Sequence, residues 1–450
     1  MNGGGLVKPV RQVVRRPPGV KPARGARRTP AQRARAAPRI SVLVASHSHP
    51  QFTRGGAEIA AYELFRDLSR RPGFEAWFMG CARGDAGRRL GATFSQPFCE
   101  REYVYAAGAF DWFKFSNPDP AFPAEFRSLL QQLQPRVVHF HHYLGFGLEA
   151  FLHVRRTLPD CRIILTLHEY LALCHHYGQM VTRHEHRLCR QASSARCTQC
   201  YADIAPSDFF LRKLYIDRFF ELVDHFIAPS EFLAGRYVAW GLPRNRISVV
   251  ENAIAEPLGG PAALTREDDD LLHVGFFGQI SSLKGINVLL DAAAILEERG
   301  EHNIVFEIHG HYGGQPPELQ ADFPARLPKL GRNVRYHGAY DHPDVDRLMQ
   351  RVDLVIMPSI WWENSPVVIQ EALRNSRPIV CSDIGGMAEK VRDRIDGFHF
   401  PVGDSLALAS LLLRLVRNPG ELAHVRESMA KPASAGEIGA RHARIYQSLA

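Results

Sequence analysis

Residues 353–386 read DLVIMPSIWWENSPVVIQEALRNSRPIVCSDIGG. The apolar run Asp353 to Met357 is short enough for a buried strand. Pro358 and Ser359 end it. The turn through Asn364-Ser365-Pro366 leads into a helix with Pro366 in its first turn, and Val367, Val368, Ile369 and Ala372 give that helix an apolar face. Pro378-Ile379-Val380-Cys381 is a second buried strand, closing on Gly385-Gly386. Strand, loop, helix and strand in this order make one unit of a parallel sheet, so the fold class is α/β.

The chemistry belongs at the strand-to-helix turn. Free N–H groups at a helix start attract phosphate. Glu363 lies in the turn and Glu371 eight positions later. Two carboxylates beside an anion site suit a sugar nucleotide. The amides take the diphosphate, and the carboxylates accept hydrogen bonds from ribose and sugar hydroxyls. Glu363-x7-Glu371 resembles the E-x7-E motif of family-4 retaining glycosyltransferases of the GT-B fold. The resemblance implies that Glu371 holds the ribose and Glu363 a hydroxyl of the donor sugar.

A chain of 450 residues with 45% hydrophobic residues fills two domains of ordinary size. It contains no apolar run long enough to span a membrane and no apolar stretch after its basic start, so neither a membrane helix nor a secretory signal is expected. Eight cysteines in a chain of this size do not suggest a secreted disulfide scaffold, which favours the cytoplasm. The net charge of +8 belongs to one segment. Residues 1–39 carry eleven Lys and Arg and no acid, leaving 44 basic against 47 acidic residues elsewhere. We expect this Arg-, Pro- and Gly-rich tail to be disordered. Its charge suits peripheral contact with an anionic membrane; specific nucleic-acid binding is not expected.

The first domain is expected at 40–255. Ile40 to Ala45 reads as a buried strand, followed by a loop and by Gly55-Gly56-Ala57-Glu58, which opens a helix. Glycines there let a ligand approach the backbone, so Gly55 and Gly56 join the binding candidates. GGAE after a first strand resembles the acceptor-side loop of family 4. Val137 to His142 reads as a strand ending in three histidines, of which His139 and His141 share one face. Ile163 to Leu167 is another strand, ending in His168-Glu169-Tyr170. This motif resembles the family's strand-end histidine, which makes His168 a polar contact near the anomeric centre.

Cys174, Cys189, Cys197 and Cys200 fall within 27 positions, as an insertion over 174–200. Four thiolates suit a structural zinc, with His175, His176, His184 and His186 as alternative ligands; free thiols are the other reading. The family resemblance implies no metal in catalysis.

Residues 256–270 are polar and rich in Pro and Gly, and make the domain boundary. The second domain, 271–435, restarts with a strand, Leu271 to Phe277, then Gly278-Gln279 and Lys284-Gly285, then a helix, Ile286 to Glu298. A lysine on a glycine-flanked loop suits phosphate. The loop resembles the family's G-R-(x)4-K-G, which gives Lys284 the donor diphosphate and places Gln279 where an arginine usually sits. Gly310 matches one position of the family's G-x-G turn. The helix at 436–450 is expected to cross back onto the first domain.

Two Rossmann-like domains facing a cleft are therefore expected, with the donor mainly in the second and the acceptor in the first. The resemblance implies retaining transfer from a UDP- or GDP-sugar to a glycan or lipid-linked acceptor, in polysaccharide or envelope glycan synthesis. His168, Lys284 and Glu363 are the catalytic candidates. Gly55, Gly56, Gly278, Gln279, Lys284, Gly310, Asn364, Ser365 and Glu371 are the donor-binding ones. No dedicated base is found. On the front-face route the leaving diphosphate takes the acceptor's proton, while Lys284 and the amides near Asn364-Ser365 stabilise negative charge. The competing readings are a nucleotide-sugar epimerase of the same fold and a non-catalytic nucleotide-sugar binder.

Overall fold

Parallel strands buried on both faces need near-continuous apolar runs and a crossover helix between neighbours. ISVLVA supplies such a run, and Val42 to Ala45 are fully buried. The structure is a computed structural model and describes residues 39–53, 55–83, 92–254 and 270–449. The basic tail (apart from Arg39) and the 256–270 linker (apart from Asp270) lie outside these residues.

The first sheet contains β1 (Ile40–Ser46), β2 (Phe74–Arg83), β3 (Phe94–Ser95), β4 (Glu102–Ala107), β5 (Val137–Phe140), β6 (Arg162–Thr166), β7 (His225–Ala228) and β8 (Ile247–Val249). Its order is β3-β4-β2-β1-β5-β6-β7-β8, and only the β3–β4 pair is antiparallel. The second sheet contains β9 (Leu272–Phe277), β10 (Ile304–His309), β11 (Val334–Gly338), β12 (Leu354–Met357), β13 (Ile379–Ser382) and β14 (Gly397–Phe400). Its order is β11-β10-β9-β12-β13-β14, and all its pairs are parallel.

Both sheets reverse winding at their first strand. β1 lies between β2 and β5, and β9 between β10 and β12. Ligands of open α/β sheets bind at such switch points, outside the carboxyl ends of the strands. The loops at these points carry His47 to Gly56 in one half, and Gly278 to Gly285 with Pro358 to Pro366 in the other.

The structure shifts some expected elements. Pro366 is the N-cap and not in the first turn, because its ψ of 127° is extended; the helix runs Val367–Arg374. β5 stops at Phe140, so His141 and His142 lie beyond the strand. Helices at Glu149–Thr157, Ser194–Cys200, Pro317–Arg326 and Pro419–Ser428 were not expected, although a Pro start with an acid in the first turn marks the last two and the Ser193 cap the second.

The last helix, Ala435–Leu449, crosses to the first half as expected. Ile438, Ala443 and Tyr446 pack with Val42, Val44, Leu64 and Leu68. Tyr446 Oη lies 2.6 Å from His139 Nδ1, and His139 Nε2 lies 2.7 Å from Thr166 Oγ1. Burial keeps this seam uncharged: it lowers the His139 pKa well below the ordinary value and that of His442 to about 4. An unfolded histidine titrates near 6.5. Below that pH the unfolded chain gains a proton that the seam refuses, so stability is lost on acidification. Thermal unfolding should show His442 costing about 2 kcal/mol between pH 7 and pH 5. In His442→Gln the fall in Tm over that range should be smaller; an unchanged fall contradicts the assignment.

Candidate active site

The two switch-point crevices share a cavity of about 760 Å³. Gly56, His168, Gly278, Gln279, Lys284, Gly310, Glu363, Asn364, Ser365 and Glu371 all line it. Gly55 does not; it is the N-cap of helix Gly56–Arg70.

On the second-domain side, Lys284 Nζ is 2.5 Å from Glu363 Oε1. The same oxygen accepts from Ser359 Oγ at 3.0 Å and Trp361 Nε1 at 2.8 Å. Three donors on one oxygen hold Glu363 in place and leave Oε2 for a ligand. The lysine is positioned by close backbone packing. Gly285 caps helix Ile286–Glu298 with φ +75°, and a Cβ there would overlap the carbonyl oxygen of Pro358. Only glycine fits both the left-handed conformation and that approach. Ile360 N donates to Leu283 O at 2.9 Å, which ties the lysine loop to the glutamate loop. Lys284 is the only Lys or Arg lining the cavity among the described residues.

Glu371 is 3% exposed, and burial raises its carboxyl pKa to about 7. His342 Nδ1 lies 3.3 Å from its Oε1.

On the first-domain side, burial first and the neighbouring His142 and His47 next lower the His168 pKa to about 3, so the ring is neutral. Its Nε2 lies 3.0 Å from His141 Nδ1, which leaves Nδ1 as the nitrogen for a ligand. Asn364 Nδ2 donates to His168 O at 2.8 Å, and Gln370 Nε2 to Asn252 O at 3.2 Å. Ser365 Oγ bonds Glu251. The loop that carries Glu363 is thus stitched across the cleft to the strand end that carries His168.

Sequence reasoning missed His47, Glu58, His142, Glu169, Tyr340 and His342, which also line the cavity. His47, His142 and Glu169 each follow the end of a buried strand, and that position is the signal that would have found them.

The four cysteines line a separate cavity of about 400 Å³ and are free thiols. Among the described residues, no group of three His, Cys, Asp or Glu side chains is placed to hold a metal ion. The segment braces the second-domain side of the cavity, because Trp362 Nε1 donates to Cys189 O at 3.2 Å. Arg236 lies over the rings of both Phe232 and Trp362 and donates to Arg190 O at 2.5 Å.

Residues 54–256 match the family described as Glycosyltransferase Family 4, and residues 264–433 match Glycosyl transferases group 1. The chain belongs to the family-4, group 1 glycosyltransferases. It is similar to the amylovoran biosynthesis glycosyltransferase AmsK of Erwinia amylovora, at 26% identity over 42% of this chain and 47% of that protein. It is also similar to an alpha-D-kanosaminyltransferase of Streptomyces kanamyceticus, at 30% identity over 37% and 41%. A D-inositol 3-phosphate glycosyltransferase of Catenulispora acidiphila is 30% identical over 34% and 37%. The chain thus spans about half, or less, of the length of these curated relatives. Among solved structures, Anabaena Alr3699/HepE in complex with UDP and glucose aligns with a TM-score of 0.60 and 16% identity, over 91% of this chain and 100% of that one. Sucrose-phosphate synthase from Thermosynechococcus elongatus aligns with a TM-score of 0.63 and 15% identity, over 91% and 99%. At these identities the likeness establishes the fold, which is GT-B.

Proposed function

We propose that this glycosyltransferase moves a sugar from a UDP- or GDP-sugar, with retention, to a glycan or lipid-linked acceptor in polysaccharide or envelope glycan synthesis. The observation that carries the reading is the Lys284–Glu363 pair, held at the second domain's switch point in a cavity that also receives His168 from the first. Lys284 faces the position of a diphosphate, and Glu363 Oε2 faces a donor-sugar hydroxyl. Glu371 takes the ribose. As the bond from the anomeric carbon to the diphosphate breaks, negative charge grows on the diphosphate. Lys284 and the amides at Asn364-Ser365 stabilise it. The acceptor oxygen bonds the anomeric carbon on the face that the diphosphate leaves, and a diphosphate oxygen takes the acceptor's proton, so configuration is retained and no separate base is needed. His168, neutral and fixed by His141, positions the sugar. Closure of the two domains around the donor keeps water from competing with the acceptor.

Titration calorimetry with UDP, GDP and ADP tests the site. One of them should bind with the full chain and bind more weakly to Lys284→Ala. No binding of any of the three overturns the reading.

For the cysteine segment we propose a structural zinc. What supports it is that all four thiols face one cavity; holding an ion requires them to move inward. One zinc per chain, lost in Cys197→Ser, is the expected metal analysis. A folded, zinc-free chain overturns it. A cytoplasmic location and contact of the tail with anionic lipid rest on the sequence alone. No helix among the described residues is long and apolar enough to cross a membrane.

A further inference from the structure

The first-domain wall of the cavity carries two carboxylates that the donor does not use. They belong to a row of four side chains, each from a different strand end or helix start: Glu58, His47, His142 and Glu169. Glu58 Oε1 lies 3.3 Å from His47 Nε2 and also accepts from Thr53 Oγ1 at 2.8 Å. The His47 and His142 rings lie 4.6 Å apart. His142 Nδ1 accepts from Leu144 N at 3.1 Å, which puts the ring proton on Nε2, 3.3 Å from Glu169 Oε1. Glu169 Oε2 accepts from Leu171 N.

The row is not a closed structural network. His47 Nδ1 is buried and has no hydrogen-bond partner among the described residues. Among the described residues Glu169 pairs with no Lys or Arg, and burial raises its pKa to about 7. Glu58 is held ionised: hydrogen bonds from His47 and Thr53, with the electrostatic pull of His47, outweigh its own desolvation and lower its pKa to about 2. Both carboxyls accept hydrogen bonds, and once ionised, as Glu58 is at neutral pH and Glu169 is above about pH 7, they repel anions. No Lys or Arg on this wall answers them among the described residues; Lys284 stands on the donor side.

We propose that Glu58, His47, His142 and Glu169 form the acceptor subsite, and that it takes an uncharged polyol with free neighbouring hydroxyls, such as a sugar ring. Phosphorylated acceptors are excluded. The carboxylates accept hydrogen bonds from the acceptor's hydroxyls and fix which of them meets the anomeric carbon. Relatives named for D-inositol 3-phosphate act on an acceptor of the opposite character, so the inference separates this chain from them. It deepens the function proposed above and rests on that reading.

The test measures sugar transfer by the full chain to matched acceptor pairs: a hexoside and its 6-phosphate, and myo-inositol and its phosphate. Nucleoside diphosphate affinity is measured in parallel. The neutral member of a pair should be used at least about 10-fold faster. Glu169→Gln should raise the acceptor KM about 10-fold or more, with nucleoside diphosphate affinity kept. The Glu58→Gln and Glu169→Gln double variant should lose most of the discrimination against phosphate. Equal or faster use of the phosphorylated acceptors overturns the proposal. So does a Glu169→Gln variant with an unchanged acceptor KM and intact donor affinity. Absence of nucleoside diphosphate binding in the unmodified chain overturns the function reading itself, and the proposal with it.

Discussion

Lys284→Ala is expected to lower the rate of nucleoside diphosphate release by about 10²–10³-fold at saturating donor. Two features make the effect large. Lys284 is the only Lys or Arg lining the cavity among the described residues, and the position where the family's loop usually has arginine is Gln279. Glutamine donates a hydrogen bond but brings no charge. The charge on the leaving diphosphate is greatest in the transition state, so kcat should fall more than donor affinity. The variant also strips Glu363 of its cation, leaving a buried carboxylate held by Ser359 and Trp361 alone. The backbone of the loop is held by Gly285 and by the Ile360–Leu283 hydrogen bond, so the fold should survive. Initial-rate kinetics decide. A loss below 10-fold, or one confined to KM, contradicts a charge-stabilising role.

Glu371→Ala is expected to weaken donor binding by about 10–150-fold, since a hydrogen bond to a charged group contributes about 1.5–3 kcal/mol. The effect should appear in kcat/KM with little change in kcat, because the ribose is remote from the reacting carbon. Burial raises the Glu371 pKa to about 7. Below that pH the carboxyl holds a proton and loses acceptor capacity, and above it both oxygens accept ribose hydroxyls. Donor affinity should therefore rise between pH 6 and pH 8, and the rise should vanish in Glu371→Gln. A variant with unchanged affinity and a collapsed kcat would place this carboxylate at the anomeric carbon instead.

The second-domain side of the cavity was largely legible in the sequence because its motifs are local. Lys284-Gly285 and Glu363-x7-Glu371 each sit on one loop next to one buried strand, and the apolar run marks the strand. β9 and the helix Ile286–Glu298 came out close to the expected positions for the same reason. The acceptor wall is assembled from single residues at three strand ends and one helix start. No short window contains two of its members except the loop from His47 to Glu58. Its meaning emerges only when β1, β5 and β6 are placed side by side. β4 was missed because EYVYAA is short and opens on a charged residue, Glu102, which the fold buries against His49 and Tyr62. The cysteines show the opposite limit. Their spacing suggests a metal, yet spacing does not specify whether four sulfurs point inward, and here they line a wider cavity.

The central claim is that one cleft, organised by Lys284, Glu363 and Glu371, cleaves a nucleotide sugar. The most direct measurement is nucleoside diphosphate release from a panel of UDP-, GDP- and ADP-sugars, comparing the unmodified chain with Lys284→Ala and Glu371→Ala. The account predicts release from one nucleotide class, strongly reduced in Lys284→Ala at any donor concentration, and in Glu371→Ala when donor is scarce. Release that persists unchanged in both variants, or no release and no binding with any donor, would contradict it.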